Sequence, residues 1–161
     1  MMAFRDSGTV VDHLQLLLGQ IPGSIGEAYK FLIILAAIYL IWKKVASWEI
    51  MASTVLGFVG MTLIFNMMGQ TNVPDPLTGL LMGGFLFGAV FMATDPISAP
   101  KTSPAKWIYG IIIGVCVVVI RGFALFSGGM MFAILLGNVF APIMDYVVNR
   151  SKQKKKEVAV E

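Results

Sequence analysis

Two acids stand at the ends of long apolar runs: Asp95 in Phe91-Met92-Ala93-Thr94-Asp95-Pro96 and Asp145 in Ala141-Pro142-Ile143-Met144-Asp145. Carboxylate oxygens suit hard cations, and acids set against hydrocarbon commonly line an ion or proton route. At a membrane interface the same acids cost little and act as caps, so position leaves both readings open. Glu49 and Asp75 fall still closer to loops, which strengthens the interfacial or cap reading for them. Arg121 ends another apolar run and can meet an anion, but a long stem that carries the charge out to lipid headgroups is the expectation. Lys30, near one end of its run, is expected to do the same. Asn66 and Asn138 lie inside apolar runs, where hydrogen bonding between helices is the default. His13 has no second histidine or cysteine at ligand spacing, so no metal is assigned to it. Neither a Walker loop nor a glycine-rich dinucleotide fingerprint occurs, so no nucleotide site of this chain's own is expected. Cys116 is the single cysteine, which excludes a disulfide framework within the chain.

A further candidate lies near the N-terminus, where the apolar residues 10–21 are too few to cross a bilayer and Pro22-Gly23-Ser24-Ile25-Gly26 interrupts them. One reading is a re-entrant half-helix whose free amides and carbonyls line a cavity and hold an anion or polar ligand. The other is an amphipathic stretch lying on the surface, followed by a helix start. Ser24 and Glu27, three residues apart, satisfy the capping-box pattern by themselves.

The elements that must position these residues follow from composition. The chain has 161 residues, 57% hydrophobic and 13% charged, whereas a soluble domain carries roughly 25% charged residues. Too few charges remain to clothe a water-facing surface. Five apolar runs stand out, at 28–42, 50–68, 77–93, 107–120 and 129–144. They are continuous rather than alternating, which points to helices and not to a barrel. The expected fold is therefore an all-α integral membrane protein with about five transmembrane helices. Residues 1–27 form a polar leader and possible re-entrant segment, 28–148 the five-helix domain, and 149–161 a basic tail.

Basic residues accumulate in short cytoplasmic loops. Lys43, Lys44, Lys101, Lys106, Arg150 and Lys152 fall on one side of such a bundle, against Arg5, Lys30 and Arg121 on the other. This places the N-terminus outside and the C-terminus in the cytoplasm, with the basic tail against anionic headgroups. The net charge of +3 does not point to nucleic acid. Gly79 and Gly83, Gly84 and Gly88, and Gly110 and Gly114 are each four residues apart and predict faces where helix backbones approach closely.

Taken in order, Ile21-Pro22-Gly23-Ser24-Ile25-Gly26-Glu27, Ala46-Ser47-Trp48, Phe91-Met92-Ala93-Thr94-Asp95-Pro96, Lys106-Trp107-Ile108-Tyr109-Gly110, Gly129-Met130-Met131 and Asn138-Val139-Phe140-Ala141-Pro142 carry a family likeness. From about Asp12 to Arg150 the chain resembles the C-terminal half of the B subunit of the sodium-translocating NADH:quinone reductases. It is also similar to the homologous D subunit of the Rnf electron-transport complexes. The resemblance implies a ten-helix fold of two repeats like the urea and ammonium channels, with this chain as the second repeat. It implies a component of the bacterial inner membrane that passes electrons through flavin to quinone, ubiquinone among them, while the complex exports Na+. The implied partners are the other subunits, quinone, Na+ and lipid, and catalysis belongs to the assembled complex.

The family attaches FMN through a phosphoester to the threonine of a Ser-Gly-Ala-Thr motif upstream of the Pro-Gly-Ser-Ile-Gly-Glu segment. This sequence lacks that motif, and Ser7-Gly8-Thr9 does not replace it because the alanine is missing and Pro22 is too near. The resemblance thus implies that FMN attachment belongs to an upstream half, with riboflavin as a second flavin, and that the chain is part of something longer. It makes Gly23, Ser24 and Glu27 the candidates for the cofactor's neighbourhood, and Asp95 and Asp145 the candidates for sodium handling. From a different class, a broken segment and glycine-lined helices also suit half of a small-solute channel or transporter.

Overall fold

A computed structural model describes residues 29–70, 73, 75–124 and 128–158. Among these residues the regular structure is helical: α1 Lys30–Trp42, α2 Trp48–Met67, α3 Pro76–Leu81, α4 Phe85–Phe87 running into a π-helical turn Gly88–Met92, α5 Ser103–Phe123 and α6 Gly129–Val158. Among the described residues, three helices are long and apolar enough to cross a membrane: Trp48–Met67, Ser103–Phe123 and the Gly129–Gln153 portion of α6. At 1.5 Å per residue, 20 residues span about 30 Å, the thickness of the hydrocarbon core. The chain is a multi-pass helical membrane protein, and α6 carries helix through the expected boundary at 148.

Two of the five expected spans differ from the rest. Helix α1 is apolar but has 13 residues, about 20 Å of helix. The run 77–93, expected as one continuous span, is broken. Met82 is extended at ψ 137° and Gly83 is left-handed at φ +64°, so the helix stops at Leu81 and restarts at Phe85. Hydropathy could not register this, because Met82-Gly83-Gly84 is apolar or neutral in composition while only glycine adopts that φ without strain. Gly79 and Gly83 therefore do not share a helix face, contrary to the spacing argument.

Helices α2 and α5 pack side by side and run parallel: Glu49 meets Lys106 near their starts, Gly57 meets Ile111 midway, and Phe65 meets Phe123 near their ends. The approach is backbone to backbone. A Cβ built on Gly57 would lie 2.6 Å from the Ile111 carbonyl oxygen, and one on Gly114 would lie 2.5 Å from the Thr54 oxygen and the Phe58 nitrogen. A Cβ on Gly110 would collide with Ser53, whose hydroxyl donates to the carbonyls of Ile50 and, across the helix pair, Lys106. Helix α6 returns antiparallel along α5, with Gly129 beside Ile120 and Gly137 beside Tyr109. The broken segment fills the remaining side, and its Phe85 ring sits 4.5 Å from that of Phe58. Phe85, Tyr109, Ile113 and Val117 form the enclosed centre. The outer faces of α1 and α6 leave Leu32, Ile38, Leu135, Val139 and Ile143 exposed, the surface expected where lipid is the solvent.

The bundle thus has two ends. Lys43, Lys44, Lys101 and Lys106 gather at one, and Gly69, Val73, Arg121 and Gly129 mark the other.

Candidate functional site

At the basic end, the two acids singled out by the sequence hold opposite ends of one loop, residues 95–102. Asp145, projecting from α6, accepts the Lys101 amide at 2.8 Å on Oδ2 and the Thr102 amide at 2.9 Å on Oδ1, and the Thr102 hydroxyl also donates to Oδ1 at 2.7 Å. Thr102 is the N-cap residue of α5, where backbone amides lack partners within the helix and favour an anion. A residue 43 positions downstream therefore closes the entry to α5. Asp95 does the same locally. Its Oδ2 accepts the Ser98 hydroxyl at 2.8 Å and the Ser98 amide at 3.3 Å, and its Oδ1 accepts the Ile97 amide at 3.5 Å. The Ser98 hydroxyl, against the opposing effect of burial and with the amides of Ile97 and Ser98, holds the Asp95 carboxyl below its ordinary value of 3.8. Beside this loop the half-buried Glu49–Lys106 pair at 3.5 Å ties α2 to α5. Ser103 donates to the same Glu49 carboxylate, and Trp48 meets Trp107 edge to face at 6.0 Å. Glu49 lies in the first turn of α2, as an interfacial or capping acid would, and also ties that helix to α5. No group of three His, Cys, Asp or Glu side chains gathers among the described residues.

At the opposite end the helix break meets Arg121. Its Nη1 donates to the carbonyl oxygens of Gly79 and Met82, each at 3.2 Å, and its guanidinium carbon lies 5.9 Å from the centre of the Phe85 ring. The residue is 8% exposed. The expectation that this arginine extends to headgroups is therefore corrected: its head turns inward. The cause is the break, which removes the amides that a continuing helix would have offered to those carbonyls. They form the negative end of α3, and a cation is favoured there. Lys30 is likewise 8% exposed and enclosed, rather than extended to the interface. Sequence reasoning missed the seat at the break, although the Gly83-Gly84 pair inside an apolar run was its signal.

Between the two ends, the Tyr109 hydroxyl donates to Asn138 Oδ1 at 2.6 Å, the interhelical bond expected of Asn138. Asn66 instead uses its backbone carbonyl, which accepts the Gly69 amide at the end of α2. Pro142 lacks an N–H, so the Asn138 carbonyl loses its usual donor within α6. Gly23, Ser24 and Glu27, with the re-entrant alternative for residues 10–21 and His13, lie outside the described residues. The packed interior of the described bundle offers no polar groups to a flavin. Tyr109, Asn138, Thr54 and Thr62 spend their polar groups on bonds within the bundle, and close-packed apolar side chains fill the space between them.

The B subunit of the Na(+)-translocating NADH-quinone reductase from Yersinia pestis is 41% identical to the chain over 158 residues. The same-named proteins from Klebsiella pneumoniae (strain 342) and Neisseria meningitidis serogroup A / serotype 4A (strain DSM 15465 / Z2491) are 40% and 38% identical over 156 residues. Each match covers 94% of this chain and 38% of the relative, so the chain spans well under half the length of the curated relatives it matches. The model of the family described as NQR2, RnfD, RnfE matches residues 2–154. With nearly its whole length matched, the chain belongs to the NQR2, RnfD, RnfE family.

Proposed function

We propose that the chain is part of the membrane-embedded B subunit of a sodium-translocating NADH:quinone reductase, in which flavin-mediated electron transfer to quinone drives Na+ export. The observation that carries this reading is the identity of about 40% to proteins of that name along 94% of the chain. The basic end of the bundle faces the bacterial cytoplasm, a reading that the lysine distribution supports, and the other subunits, quinone and lipid meet its apolar flanks. FMN and riboflavin belong to residues outside the described ones, with Gly23, Ser24 and Glu27 beside the redox path. The chain contributes the second repeat of a ten-helix, channel-like fold.

The deciding experiment disrupts the coding sequence and assays native membranes for NADH-driven quinone reduction stimulated by Na+. Loss of that activity, restored by complementation, is expected. Loss of ferredoxin-linked NAD reduction instead would identify the Rnf D subunit, and solute flux without flavin in reconstituted vesicles would identify a channel half.

Sodium handling by Asp95 and Asp145 belongs to the same proposal, beside the loop clamp that the geometry favours. Asp95→Asn and Asp145→Asn separate the two in the assembled complex. A raised Na+ requirement with an intact loop supports ion handling; a loosened loop with an unchanged Na+ requirement supports the clamp.

A further inference from the structure

Broken helices in membrane proteins expose carbonyl groups, and those at the C-terminal end of a half-helix commonly coordinate small cations. The break at residues 82–84 has that construction. The Gly79 and Met82 carbonyls converge on one nitrogen of Arg121, at 3.2 Å each. The left-handed backbone at Gly83 passes close enough that a Cβ there would sit 3.2 Å from Nη2. The Phe85 ring, itself fully buried, offers its π system 5.9 Å from the guanidinium carbon. A carbonyl pair, a glycine that admits a flat group and an aromatic ring make a seat for a planar monovalent cation.

We propose that this break is a guanidinium-binding seat that the chain fills with its own side chain, so that Arg121 acts as a tethered cation holding α3 and α4 in register. A charged residue within a membrane bundle is expensive, and packing by itself would be served as well by methionine. The seat explains how the charge is accommodated: it replaces the donors that the interrupted helix no longer supplies. Arg121 is on this view a positioning residue for the broken helix, independent of the reaction the assembly performs.

The test uses the full membrane assembly that contains the chain, purified in detergent, with hydrogen exchange of the residue 82–87 amides as the readout. In the unaltered protein, low millimolar guanidinium is expected to leave exchange unchanged. Arg121→Ala and Arg121→Met should both exchange faster, and added guanidinium should restore protection saturably in Arg121→Ala, while urea, planar but uncharged, should not. Wild-type exchange in Arg121→Met, or equal effects of guanidinium and urea, would overturn the proposal. Should those two variants fail to assemble, Arg121→Lys keeps the charge but loses the planar guanidinium. It is expected to exchange faster, and wild-type protection in that variant would be equally fatal.

Discussion

Asp145 accepts three hydrogen bonds from Lys101 and Thr102, so its removal strands two amides at the start of α5. Hydrogen bonds to a charged acceptor contribute roughly 1.5–3 kcal/mol, and with partial access to water Asp145→Ala is expected to cost about 2 kcal/mol. Thermal melting of the assembly, with faster tryptic cleavage at Lys101, checks this; cleavage at the wild-type rate would remove the clamp from the account. Asp95 makes a pH-dependent prediction. Its carboxyl is held below 3.8 by the Ser98 hydroxyl first, against the opposing effect of burial and with help from the Ile97 and Ser98 amides. A depressed value in the folded state means the carboxylate stabilises the loop fully above the unfolded value, and that stability is lost as pH falls through the folded one. Protection of the Ile97 and Ser98 amides should therefore persist at neutral pH and fade only in acid below that ordinary value, with the transition abolished in Asp95→Asn. Both acids were legible as interfacial residues, because they end apolar runs next to Pro96 and Tyr146. Their shared loop was not, because Asp145 and Thr102 meet only after α5 and α6 pair.

Among the elements, the α2–α5 pair is the most readable from spacing and the most sensitive to substitution. Gly110 and Gly114 announce a close-packed face, and α2 answers with Ser53 and Gly57, also four residues apart. Gly114→Leu drives a side chain into backbone atoms 2.5 Å from its Cβ, which flexible neighbours cannot relieve. A loss of about 3 kcal/mol or more is expected. Gly60→Ala meets nothing within 4 Å and serves as the neutral control. Melting midpoints of the two variants, measured side by side, decide this, and equal midpoints would mean that the helices are free to separate. The broken segment was not readable in the same way. Period and hydropathy describe which side chains are apolar, whereas the break depends on backbone torsions at Met82 and Gly83 and on a charge arriving from another helix.

For the whole molecule, the topology places residues 43–47, 95–102 and the turn of α6 around Asp145 together at one end, as the Glu49–Lys106 and Asp145–Thr102 contacts demonstrate. Reporter fusions after Lys44 and after Lys106 in the full assembly are thus expected on the same side of the membrane, and one after Gly69 on the other; a Gly69 fusion reporting with the lysines would invalidate the bundle. The sequence by itself determined that lipid is the solvent, that the chain folds as helices, and that the lysines share a side, since these follow from counting apolar and charged residues along the chain. Only the tertiary structure decided which helices pack against each other, where a span is interrupted and that Arg121 turns inward. Those outcomes depend on groups far apart in the chain satisfying each other's hydrogen bonds and filling each other's space, which local composition does not encode.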